Sequence, residues 1–193
     1  MTDRDRFIEL LFGDQPLEQV LMLTESEPCS KDRTWLALTD AVASMRAANR
    51  GRTIELLLGI AANADIEARV LLWIWTTLRQ LGVRPDLDGS EIKGVVIQVA
   101  VRGGMDVLAG YVDGTARYVN HKGRIIVWDL PDATVPGLVR ELLECCSLLS
   151  RHRSLAMLDG SAPDVPSDGA RVTLLTCNGN ESDRKSTRLN SSH

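Results

Sequence analysis

Over the first eighty or so residues, hydrophobic positions recur at helical spacing. Phe7, Leu10 and Leu11 share one face of a helix expected from Asp3 to Phe12, with Gly13 as its stop. Asp14 is placed to cap a second short helix, with Pro16 in its first turn and Leu17, Val20 and Leu21 facing inward. Glu25 to Lys31, containing Pro28, reads as a loop. Asp32 opens a longer helix to about Ala48 with the stripe Trp35, Leu38, Val42 and Met45, and Asn49-Arg50-Gly51 breaks it. Ile54, Leu57, Leu58 and Ala61 mark a fourth helix. Asp65 is expected to cap a fifth, carrying Val70, Leu71, Ile74, Leu78 and Leu81 and ended by Gly82 and Pro85.

The helix starts near residues 3, 34 and 65 recur about every 31 residues, close to the roughly 34-residue step of tetratricopeptide arrays. Trp35-Leu36-Ala37-Leu38 resembles the opening of such a repeat, while the rest of its signature is absent. An array of helical hairpins and an irregular helical bundle give the same pattern, so both stay open for residues 1–84.

Beyond a Pro- and Gly-containing linker at 83–90, the period changes from helical to alternating. Strands are expected at 94–101, 105–112, 115–120 and 124–128, and after a helix at 135–149 a fifth at 171–177. Asp113-Gly114 and His121-Lys122 read as two-residue hairpin turns, and Arg102 to Gly104 as a three-residue loop. The three-residue choice keeps Gln98 off a face holding Val95, Ile97, Val99, Val101, Met105, Val107, Ala109, Tyr111, Ala116, Tyr118, Ile125 and Val127. The helix stripe Leu138, Val139, Leu142, Cys145, Cys146 and Leu149 is expected on that face. The fold class is therefore α+β: five helices in hairpins, then an antiparallel four- to five-stranded meander over 91–177 with one helix on a face.

The opposite sheet face carries the best candidate chemistry. Asp106, Arg117, His121 and Arg124 offer a carboxylate, an imidazole and two guanidinium groups, enough for acid–base work or for holding a small anion. Charges on the second face of an antiparallel sheet also commonly pair or meet solvent, so these residues are assigned to ligand binding rather than catalysis. Of Trp73 and Trp75, which point to different faces of one helix, one is expected in the core. Cys145-Cys146 reads as two small apolar residues, and Cys29, Cys145, Cys146 and Cys177 fit no zinc spacing. Gly103-Gly104 lacks the Lys-Ser/Thr of a phosphate cradle. No metal or cofactor is expected.

Charge narrows the classes further. The chain has 22 Lys and Arg against 26 Asp and Glu, with no basic run, which argues against nucleic acid. It has no signal peptide and no apolar run near the roughly 18 residues of a membrane span, so a cytoplasmic protein is expected. Asp183 to His193 reads codon for codon like a translated sequencing adapter. The expectation is a truncated reading frame from environmental DNA, without structure over 178–193. Setting aside the adapter-like residues, which hold three basic and one acidic side chain, moves the net charge from −4 to −6.

The stretch Gly103 to Trp128, with its Asp-Gly-x-Ala-Arg-Tyr-x-Asn meander at 113–120, resembles a bacterial family of uncharacterised proteins, over about 35–177. That resemblance implies a helical half followed by this meander and no activity. The expected function is a non-catalytic protein-interaction or regulatory role with a protein partner. A small-anion sensor on the mixed sheet face, and an enzyme completed by missing C-terminal residues, are the alternatives.

Overall fold

A computed structural model describes residues 2–24, 33–85, 91–129, 134–152, 156–157 and 169–182. The class is α+β, as expected. Five helices come first: α1 Asp3–Leu11, α2 Leu17–Thr24, α3 Arg33–Arg46, α4 Arg50–Ala61 and α5 Ala68–Gln80. Four strands follow, β1 Ile92–Val101, β2 Gly104–Tyr111, β3 Ala116–Val119 and β4 Ile125–Trp128. Helix α6 (Thr134–His152) then precedes β5 Ala156–Met157, β6 Ala170–Thr176 and β7 Gly179–Ser182. The sheet has seven strands in the order β4-β3-β2-β1-β6-β7-β5, and its pairings are antiparallel. The expected end of structure at Cys177 is corrected: the chain turns back and β7 pairs with β6 and β5. The adapter-like residues 183–193 lie outside the described residues.

Helices α2 to α5 close on a single core of Leu17, Val20, Leu38, Val42, Leu57, Val70, Trp73, Ile74 and Leu78. Trp73 is buried there, and Trp75 packs partly buried against it. Helix α1 lends Leu10 to the edge of that core and contributes mainly to a second one, where Ile8 and Leu11 join Ala68 and Leu72 of α5 against Val96, Val107, Ala109, Tyr111, Val119 and Leu175. The helical region and the sheet thus share buried surface. Helix α6 covers the other sheet face, packing Val139, Leu143 and Cys146 on Val95, Ala116 and Leu174.

All three turns of the meander depart from the expected lengths by one residue. Val101 pairs with Gly104, so the first loop has two residues. Tyr111 N–H donates to Thr115 O, and Asn120 N–H donates to Arg124 O, so each later turn has three. Gly114 (φ +82°) and Gly123 (φ +85°) close those turns in the left-handed region, the position a three-residue hairpin loop reserves for glycine. The Asp-Gly pair belongs to this longer turn rather than to a type I′ turn. Because strand side chains alternate, each one-residue change moves whole strands to the other face. Val95 and Ile97 therefore lie under α6, on the face they share with Val99, while Met105, Val107, Ala109 and Tyr111 face α1 and α5. Gln98, expected on the polar side, is buried on the face toward the helical region, with Nε2 donating to Met105 Sδ.

Several helix ends are closed by residues distant in sequence. Thr2 and Asp5 cap α1 reciprocally. The first N–H of α2 donates to Thr77 Oγ1 at 3.0 Å, so Asp14 is not the partner there. The α5 N-cap is Glu67, without a side-chain cap bond, and the N–H of Ala68 donates to Asp113 Oδ2 at 2.8 Å. Asp113 also accepts from Thr115 N and Oγ1, so one turn residue closes its own hairpin and the start of α5. At the end of α1, the carbonyls of Leu11, Phe12 and Gly13 accept from Tyr111 Oη, Asn180 Nδ2 and Thr76 Oγ1.

Candidate functional site

The four residues expected to share the mixed sheet face are not gathered into one site. Asp106 and His121 do meet. In the observed register Val107 is paired with Val119, which brings Asp106 beside the turn that follows β3. Its Oδ1 accepts from the His121 backbone N–H at 2.7 Å and lies 3.1 Å from His121 Nδ1. Its Oδ2 accepts from Tyr118 Oη at 2.6 Å. The Tyr118 hydrogen bond, with those from His121, holds the Asp106 carboxyl below its ordinary range. The same bond pushes the Tyr118 phenol up. Arg4 of α1 braces the strand ends, donating to Met105 O and Asn120 O.

Arg117 sits on the other face. It pairs with Ala109, its side chain is nearly fully buried, and its guanidinium meets Asp129 and, at 3.9 Å, Glu67. A buried guanidinium held between two carboxylates is committed to the structure. Arg124 is exposed, and its backbone N–H donates to Asn120 Oδ1. What remains around Asp106 is a carboxylate whose two oxygens are engaged within its own hairpin and an imidazole with Nε2 directed away from them. This arrangement fixes the turn. Tyr118 was missed because a two-residue turn put it on the opposite face.

A concavity lies elsewhere, between α6 and the β2–β3 turn. It is a groove of about 620 Å³ whose walls include Val112, Asp113, Pro136, Arg140, Glu144 and Leu148. Pro136 closes its base against Gly114, where an added Cβ would come within 2.9 Å of the proline ring. Leu148 is 56% exposed and Val112 48%. Beside it, a smaller slot of about 220 Å³ is almost wholly apolar and is lined by Leu108, Ala116, Trp128, Val135, Leu138 and Leu142.

The stripe expected on α6 needs correction. Leu138 is 60% exposed and Cys145 is exposed, while Val139, Leu143 and Cys146 face the sheet. Burial pushes the thiols of Cys146 and Cys177 up, which makes them poor nucleophiles. Cys29 lies outside the described residues. Among the described residues, no three His, Cys, Asp or Glu side chains are grouped to hold a metal ion. No described helix is long and apolar enough to cross a membrane.

No family model matches the chain, and neither a curated protein nor a solved structure does.

Proposed function

We propose that the protein is a non-catalytic interaction protein that receives a segment of another protein in the groove between α6 and the β2–β3 turn. The observation that carries this reading is the pairing of exposed Leu148 and Val112 across one concave surface. Large apolar side chains on opposite walls of a groove are what an amphipathic helix or strand uses as anchor points. The groove also bears Glu91, Asp113 and Glu144 against Arg140. An apolar segment flanked by Lys or Arg fits that balance better than an acidic one.

The test is to identify proteins retained by the full chain in its native host, then measure their affinity for Leu148→Glu and Glu144→Lys. Leu36→Glu, at an exposed position on α3, is the control. A groove partner loses roughly tenfold or more with Leu148→Glu and is indifferent to Leu36→Glu. Affinity unchanged by both groove variants overturns the reading.

A further inference from the structure

Strand β4 ends the sheet, and among the described residues nothing pairs with its outer edge. Its sequence, Arg124-Ile-Ile-Val-Trp-Asp129, has no charge between its two ends. The bond from Asn120 N–H to Arg124 O sets the alternation of the β3–β4 ladder. Arg124, Ile126 and Trp128 direct their backbone groups to β3, so the N–H and C=O of Ile125 and Val127 point outward. Their side chains are 40% and 46% exposed. An apolar edge with unused backbone donors and acceptors is a template for strand addition.

We propose that β4 pairs antiparallel with β4 of a second copy of this chain, Ile126 opposite Ile126, joining two sheets across a twofold axis. This register is selected by the edge itself. It sets Ile125 against Val127 of the other copy, which is an outward-facing hydrogen-bonding pair on both sides. On that face the two exposed aliphatic pairs cover each other. On the opposite face it sets Arg124 against Trp128 of the other copy, twice by symmetry, a cation over an aromatic ring. The charges also agree, because the basic end of β4, with Lys122 and Arg124, comes to lie beside the acidic end of its mate at Asp129. A self-complementary patch of this kind gives a closed dimer rather than a filament. The α6 groove is not part of it, so partner binding and self-association are separable.

Sedimentation equilibrium of the full chain, from low-micromolar to near-millimolar concentration, reads the association directly. A reversible dimer of the 21.2 kDa chain is expected. Val127→Pro removes only an outward N–H and keeps the β3 ladder, so it leaves a folded monomer. Val127→Lys and Ile125→Lys place charge at the seam and also give monomers. Arg124→Ala weakens the dimer roughly tenfold through its two ring contacts. Leu148→Glu leaves it unchanged. Should Val127→Pro fail to fold by circular dichroism, the two lysine variants decide. The proposal is overturned by a wild-type chain that stays monomeric throughout the range, or by a dimer whose affinity is untouched by the lysine variants.

Discussion

The sheet face turned toward α1 and α5 buries Val96, Val107, Ala109, Tyr111 and Leu175 completely, whereas the face under α6 leaves its covering helix with Leu138 and Leu148 more than half exposed. On the first face two helices close the surface, and buried polar side chains tie the last carbonyls of α1 to the sheet and to α5. On the second, one helix does the covering, with part of its apolar surface left outside. The difference separates what a face does for stability from what it offers to a partner. The first face is closed off from any partner, while on the proposed reading α6 receives another chain without unfolding anything.

The strongest test of this contrast is truncation in each core. Leu72 is 2% exposed beneath the sheet, and its Cβ lies close to Gly13. Leu72→Ala should cost about 3 kcal/mol in urea denaturation, and Leu143→Ala, on the sheet-facing side of α6, about 2 kcal/mol. An equal or larger loss at Leu143 would mean that α6 is as deeply committed to the core as α5. Next comes Tyr111→Phe. Burial, more than any neighbouring charge, pushes that phenol far up, and its hydroxyl donates to Leu11 O at 2.7 Å. Removing the donor leaves a buried carbonyl unpaired, a loss of about 1–2 kcal/mol at nearly constant shape. Accelerated amide exchange confined to α1 and its neighbours would locate the effect. Asp113→Ala should cost about 1 kcal/mol and speed exchange of the Ala68 amide, because cap and turn share that carboxylate.

These bonds also mark the boundary of what the sequence makes legible. Helix periodicity located α1 to α6 to within a few residues, because amphipathic stripes are local. Turn length is also local, but for the first loop it was decided by an assumption about burial. Keeping Gln98 out of the core required a three-residue first loop, yet the protein buries Gln98 on Met105 Sδ. Asp113-Gly114 was also read as a two-residue type I′ turn where Gly114 closes a three-residue one, and strand faces inverted with it. Arg117 therefore landed on the wrong face, and Tyr118 was separated from Asp106. The caps from Thr77 and Asp113 join residues 60 and 45 positions apart, which no local pattern reveals. Asp106 and His121 were brought together in either register because the turn itself reaches back across β2.

The smallest expected effect concerns that pair and separates a structural carboxylate from a functional one. Tyr118 and His121 donate to the ionised form of Asp106, so its folded pKa lies below the ordinary value of 3.8. The resulting stabilisation is present above the unfolded-state pKa and is lost as pH falls through the folded one. Because Asp106 is partly exposed, the loss is confined to the β3–β4 turn rather than to global unfolding. In a nuclear magnetic resonance titration, the His121 amide should report a midpoint below 3.8 in the wild type. Tyr118→Phe removes the leading donor and should move that midpoint upward, with little change in thermal stability. An unmoved midpoint would assign the shift to the His121 contacts. A Tyr118→Phe variant that also lost partner affinity would reopen this hairpin as a recognition site, against the division of labour between the two faces drawn from the cores.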